Sequence, residues 1–98
     1  MSFDFASAVS RRAVIEFEYD GERRTVEPYV YGLSTAGHYV LRGYQVRGGS
    51  LSGEATNWRL FLTSKIYGAR ETGAYFAAAR PGYNPDDPGF IEVRGRVR

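Results

Sequence analysis

The stretch "VIEFEYDGERRTVEP" (14–28) alternates apolar and charged residues, turns at Asp20-Gly21, and alternates again. A period of two places every second side chain on the same face of a strand, so this pattern excludes a helix. Asp-Gly supplies the two left-handed residues of a tight hairpin. The stretch therefore reads as two antiparallel strands, with Ile15, Phe17 and Tyr19 inward and Glu16 and Glu18 outward. The returning strand, about 23–31, carries Pro28, which cannot donate to a ladder and belongs at an edge, a bulge or a bend.

The rest of the chain extends this β pattern. "FDFASAVSRR" (3–12) reads as a short helix capped by Ser2, with an apolar side of Phe3, Phe5, Ala6 and Val9 and with Arg11 and Arg12 at the negative end of its dipole. A helix this short needs a sheet to dock on. "STAG" (34–37) is a turn, and 38–46 is a third strand. The glycine-rich 47–57 is expected to be a mobile lid or rim. A fourth strand starts at Trp58, breaks near Ser64-Lys65 and leads into a fifth. Residues 72–80 fit either a helical turn or an extended piece. "PGYNPDDPG" (81–89) is irregular, and "FIEVRGRVR" (90–98) alternates as a last strand or a loosely held tail. The expected organisation is a β domain over 1–80, followed by a Pro/Gly-rich turn and a strand or tail over 81–98.

Composition narrows the chemistry. A chain of 98 residues buries somewhat more than ~60% of its unfolded surface, enough for one domain. No apolar run approaches the ~18 residues of a membrane span, and the first residues lack the pattern of a secretory signal. Cysteine is absent, which removes disulfides and thiolate chemistry and fits a cytoplasmic location. There is one histidine, with no H-x-x-x-H or E-x-x-H spacing and no G-x-S-x-G elbow; "RGGSLSG" lacks the G-K-[ST] of a phosphate-binding loop. The expectation is a non-enzymatic protein with no metal and no cofactor. Glu16 and Glu18 read as a solvated strand face, and Asp86-Asp87 as turn residues.

Twelve of the thirteen cations are arginine, the side chain that grips phosphate or carboxylate in a planar fork. Arg24, Arg42, Arg47, Arg59 and Lys65 come from several strands and are interleaved with Tyr29, Tyr31, Tyr39, Tyr44 and Trp58. Small β domains use such mixtures to stack bases and neutralise phosphates. Tyrosine is also a good strand former and arginine a good outer-face residue, and composition alone favours that plainer account.

"RTVEP" (24–28), "HYVL" (38–41) and "RLFLTSKI" (59–66), in this order, resemble the three sequence blocks of the WYL domain family, and "VIEFEYDG" resembles its first strand and hairpin. The likeness spans about 13–80. His38 stands where the family has tryptophan, Val40 where it has leucine (or the leucine is displaced to Leu41), and Ser64-Lys65 where it has an acidic residue followed by arginine. The resemblance implies a mainly β fold: a small Sm/SH3-like five-stranded β-barrel with a short N-terminal helix. It also implies a bacterial ligand-sensing module acting in transcriptional or CRISPR/defence regulation. Family members usually follow a winged-helix domain, and these 98 residues hold none, so the expectation is either a stand-alone member or a partner that carries the output.

By matched position the resemblance makes Arg24, Tyr39, Arg59 and Lys65 the ligand site. His38 and Arg42 join them as strand neighbours. Alternation puts Tyr39 and Leu41 on one face and His38, Val40 and Arg42 on the other, so one site needs a bulge or a rim. The expected ligand is a nucleotide or single-stranded nucleic acid, with no membrane partner. The rival reading is a protein–protein adaptor or homodimer that uses the barrel surface, with Arg59 as an internal strut paired to Glu27. Salt separates the two, because phosphate contacts weaken steeply with ionic strength and apolar docking does not.

Overall fold

The computed structural model describes residues 3–49 and 57–97. The elements are α1 (Phe5–Ser10), β1 (Ala13–Tyr19), β2 (Glu22–Ser34), β3 (Tyr39–Gly48), β4 (Asn57–Leu62), a 3₁₀ turn (Thr63–Lys65), β5 (Tyr67–Tyr75) and β6 (Phe90–Arg96). All the strand pairings are antiparallel, in the order β4-β3-β2-β1-β5, with β6 on β2. The protein is mainly β with one small helix. Most of the lid expected over 47–57 lies at 50–56, outside the described residues.

The hairpin forms as the alternation requires. Tyr19 pairs with Glu22, and Asp20 and Gly21 take φ of 52° and 76°. Ile15 and Phe17 are fully buried, and Glu18 is exposed. The helix is shorter than expected, and its cap is Asp4 rather than Ser2: the Asp4 carboxylate accepts the Ser7 N–H at 2.9 Å. Arg11 then leaves the helix end to pair with Glu71, and Arg12 donates to the Ala77 carbonyl at 2.9 Å.

β2 is a long strand that serves three neighbours. β3 pairs along one edge from Arg24 to Leu33. Along the other edge β1 ends at Val26 and β6 begins at Val30. Pro28 sits at this hand-over, buried, beside a register shift in the β3 ladder between Pro28 and Val30. The missing N–H is thus placed where the ladder is already interrupted. Residues 90–96 are a paired strand and not a loose tail, which makes six strands where five were expected.

Among the described residues no ladder joins β4 to β5, so the sheet is not closed into a barrel. The physical reason lies in the connection and in β5 itself. The 3₁₀ turn swings the chain away directly after β4. β5 is distorted by two register shifts against β1, near Gly68 (φ 63°) and Gly73 (φ 91°). Bulges of this kind twist an edge away from further pairing.

The core lies on the concave face, where Val9, Ile15, Phe17, Val26, Leu41 and Phe61 meet. Phe17, Tyr19 and Phe61 pack edge to face at centroid distances of 5.0 to 6.4 Å. The opposite face is also covered. The segment after β5 folds back so that Phe76 and Tyr83, with Trp58 of β4, each lie within 4.9 Å of the Tyr29 ring centroid. This double cover explains why Val26 through Val30 are all buried, contrary to simple alternation. The accessible surface is 5619 Å², against about 5,600 Å² for a folded monomer of 11.0 kDa.

Candidate functional site

A cleft of about 730 Å³ lies at the open end of the sheet, where β5 fails to meet β4. Three parts of the chain build it. Tyr31 of β2 and Tyr39 of β3 supply stacked rings, with centroids 6.1 Å apart and planes at 30°. Phe3 and Phe5, held by α1, form a second wall; the Phe5 ring lies 5.5 Å from Tyr31. His38, from the 34–37 turn, and Ser64, from the 3₁₀ turn, line the polar side. Tyr39 is 39% exposed. The Arg94 guanidinium lies 5.3 Å from the Tyr39 centroid and pairs with Glu92 at 3.5 Å.

The six residues read from the sequence as one site are distributed over five places. His38 and Tyr39 share the cleft, because His38 precedes the strand and is released from its alternation. Arg42 lies on the other face of β3 and pairs with Asp87 at 3.0 Å. Lys65 lines a shallow hollow with Glu18, Asp20 and Tyr67. Arg59 is opposite Gly43 in the β3–β4 ladder, on the Phe61 side of β4, and does not line the cleft.

Arg24 is interior. Its side chain runs into the core at 4% exposure, where Nη1 donates to Gln45 Oε1 at 3.3 Å and Nη2 to the Tyr19 carbonyl at 3.1 Å. Its guanidinium lies 5.4 Å from the Tyr19 centroid and 5.9 Å from that of Phe61. Gln45 passes the link on to the carbonyls of Gly48 and Gly49. Arg24 thus braces the hairpin tip against the end of β3, and its Nε has no hydrogen-bond partner. Convergence of Arg24, Arg59 and Lys65 on one phosphate is not what the fold builds.

Glu27, which the adaptor reading offered as one carboxylate that could hold Arg59, pairs with Arg80. Arg80 Nε and Nη2 donate to its two oxygens at 3.0 and 3.1 Å, and the Tyr29 hydroxyl donates to Oε1 at 3.1 Å. The pairing raises the Arg80 pKa above its ordinary value. Burial first, then the nearby Glu27 charge, pushes the Tyr29 hydroxyl up to about 12, against a lowering hydrogen bond from the Arg80 N–H. Glu16 takes up Arg70 and Arg23, which makes it a surface ion-pair partner and not an acid–base group.

Sequence reasoning missed Arg94, Phe3 and Phe5 as site residues. The alternation of 90–96 signalled that Arg94 lies on one face of a strand, but not which strand that face would meet. The described residues assemble no group of three or more His, Asp or Glu side chains suited to a metal. None of the helices described is long and apolar enough to cross a membrane. No family model matches the chain, and no curated protein or solved structure proves similar to it.

Proposed function

We propose that this chain is a non-enzymatic, WYL-like regulatory module that binds a nucleotide or a short single-stranded nucleic acid in the aromatic cleft. The observation that carries this reading is the stacked Tyr31–Tyr39 pair on the cleft wall with the Arg94 guanidinium against Tyr39. An aromatic face accepts any base, and a neighbouring guanidinium accepts phosphate. The curled run β4-β3-β2-β1-β5, bridged by a 3₁₀ turn, supports an open variant of the small Sm/SH3-like barrel. A role in transcriptional or CRISPR/defence control, with the output carried by a partner, follows from the same resemblance.

The test is fluorescence anisotropy of a labelled short oligodeoxythymidine, with nucleotides as competitors, over a salt series. Affinity should fall as salt rises. Tyr39→Ala should weaken binding by about 1–3 kcal/mol, the range for one base–aromatic stack. Arg94→Ala should weaken binding and flatten the salt dependence, and Arg23→Ala, on the hairpin, should do neither. Equal losses for Arg94→Ala and Arg23→Ala would mean diffuse electrostatics and no site.

A further inference from the structure

Among the described residues β4, β5 and β6 each have a strand neighbour on one side only. An unpaired edge presents open N–H and C=O groups and invites a further strand, so proteins guard edges with bulges, charges or cover. β5 carries two register shifts against β1. β6 carries two against β2 and bears the Glu92–Arg94 pair, and α1 lies against it at Gly95, where a Cβ would stand 3.2 Å from Ala6 Cα. β4 has none of these devices. It runs in unbroken register with β3 from Asn57 to Leu62, and its sequence N-W-R-L-F-L holds no proline, glycine, lysine or carboxylate.

The open groups on this edge centre on Leu60. Alternation points the N–H groups of Trp58, Leu60 and Leu62 away from β3. The Trp58 N–H goes to Asn57 Oδ1 at 2.7 Å, and the Leu62 N–H goes to the Tyr19 hydroxyl at 3.1 Å. Among the described residues the Leu60 N–H meets no acceptor. The Leu60 side chain lies on the outer face, opposite Arg42, and is 46% exposed. An exposed apolar side chain and an unpaired amide thus share the middle of a regular, unguarded edge.

We infer that β4 pairs antiparallel with β4 of a second copy, about a two-fold axis at Leu60. The strand's own sequence favours a second copy over a foreign strand. In this register the two Leu60 residues face each other and exchange both backbone hydrogen bonds. Trp58 then faces the partner's Leu62 on the outer face, and Arg59 faces the partner's Phe61 on the concave face. Aromatic–aliphatic pairs, and a cation beside a ring, stabilise neighbouring strands. Centring the pair on Arg59 would instead set two guanidiniums opposite each other, which selects the Leu60 register. The contact is isologous, so it closes at two copies and does not propagate. An edge of six residues falls short of the about 1,200 Å² of a standard interface, so the dimer is of the weak, concentration-dependent class.

Sedimentation equilibrium of the whole chain, up to about 1 mM, should show a reversible monomer–dimer equilibrium. Because Leu60 opposes itself, Leu60→Lys and Leu60→Glu each place like charges on the axis, and each alone should be monomeric over the same range. Mixed in equal amounts they should recover the dimer, because an ammonium then meets a carboxylate. Leu60 is a surface position, so the circular dichroism and thermal melting of each variant should match the wild type. Tyr39→Ala, in the cleft, should leave the association unchanged. The inference is overturned if the wild type stays monomeric, if either single variant still dimerises, or if the mixture fails to associate.

Discussion

Arg80→Ala tests how the segment after β5 is fastened to the sheet. Glu27 is 7% exposed, and its carboxylate is held by two Arg80 hydrogen bonds and one from Tyr29. Truncating Arg80 removes the cation and leaves the carboxylate with a single neutral donor. Breaking a buried pair from one side costs about 3–5 kcal/mol, whereas an exposed pair is worth at most about 1. The Arg80 side chain is 43% exposed while that of Glu27 is 9%, so the pair lies between these limits. The Arg80 guanidinium also lies 4.7 Å from the Tyr44 centroid, and that contact goes too. The expected loss is about 2–3 kcal/mol. With a urea m-value of about 1.5 kcal/mol/M, the midpoint should fall by about 1.3–2 M. Trp58 emission and far-ultraviolet circular dichroism can follow the transition together. Glu27→Gln placed on top of Arg80→Ala should recover part of the loss, because it removes the stranded charge. A loss below about 0.5 kcal/mol, or no recovery in the double variant, would refute the reasoning.

Three further outcomes follow from the same geometry. Tyr29 has a folded pKa raised to about 12 from 10.0, so its contribution is complete below pH 10 and is lost as pH rises towards 12. At about 1.36 kcal/mol per unit the wild type should lose up to about 2.7 kcal/mol across that window, and Tyr29→Phe should show a flatter alkaline slope in urea titrations. Gly43→Ala would place a Cβ 2.5 Å from Val26 Cγ1 and 2.9 Å from the Glu27 carbonyl, and should cost about 1–3 kcal/mol by thermal melting. Asp4→Ala removes the only side-chain cap of α1 and should cost about 1 kcal/mol, with Asp4→Asn restoring most of it.

The strands were legible wherever a single face is buried. β1 and the Asp20-Gly21 turn follow from period and turn chemistry alone, and the break at Ser64-Lys65 is the observed 3₁₀ turn. Pro28 marked a bend correctly because it states a local fact, a missing donor. What failed was anything that depends on distant segments. Nothing near Glu27 or Tyr29 shows that 76–83 will fold over them, so burial on both faces of β2 was invisible, as was the pairing of Glu27 with Arg80. Arg24 looked like a surface cation because arginine usually is one, but Tyr19, Gln45 and Phe61 come together around it only in the folded sheet. The cleft was half legible: Tyr39 and His38 were singled out, while Phe3 and Phe5 were read as helix core.

The separation of Tyr39 from Arg42 has one cause, the two-sidedness of β3. Tyr39 and Leu41 face the concave side, where Leu41 pairs with Phe61; Arg42 and Tyr44 face the other, where Tyr44 pairs with Trp58. One strand thus feeds two concavities. An ordinary β domain of this size would leave the outer face wet, but here Phe76, Tyr83 and Asp87 cover it and turn Arg42 from a solvent-facing cation into the side of a pocket. The two concavities therefore differ in what secures them. The cleft depends on α1 seating Phe3 and Phe5. The pocket depends on Arg80 and Tyr83, the latter donating to the Val97 carbonyl at 2.6 Å. Loosening the 76–97 segment through Arg80→Ala should then change Trp58 emission, through its stack with Tyr83, before it touches binding in the cleft. A parallel loss of cleft binding would mean that the two faces are not independent.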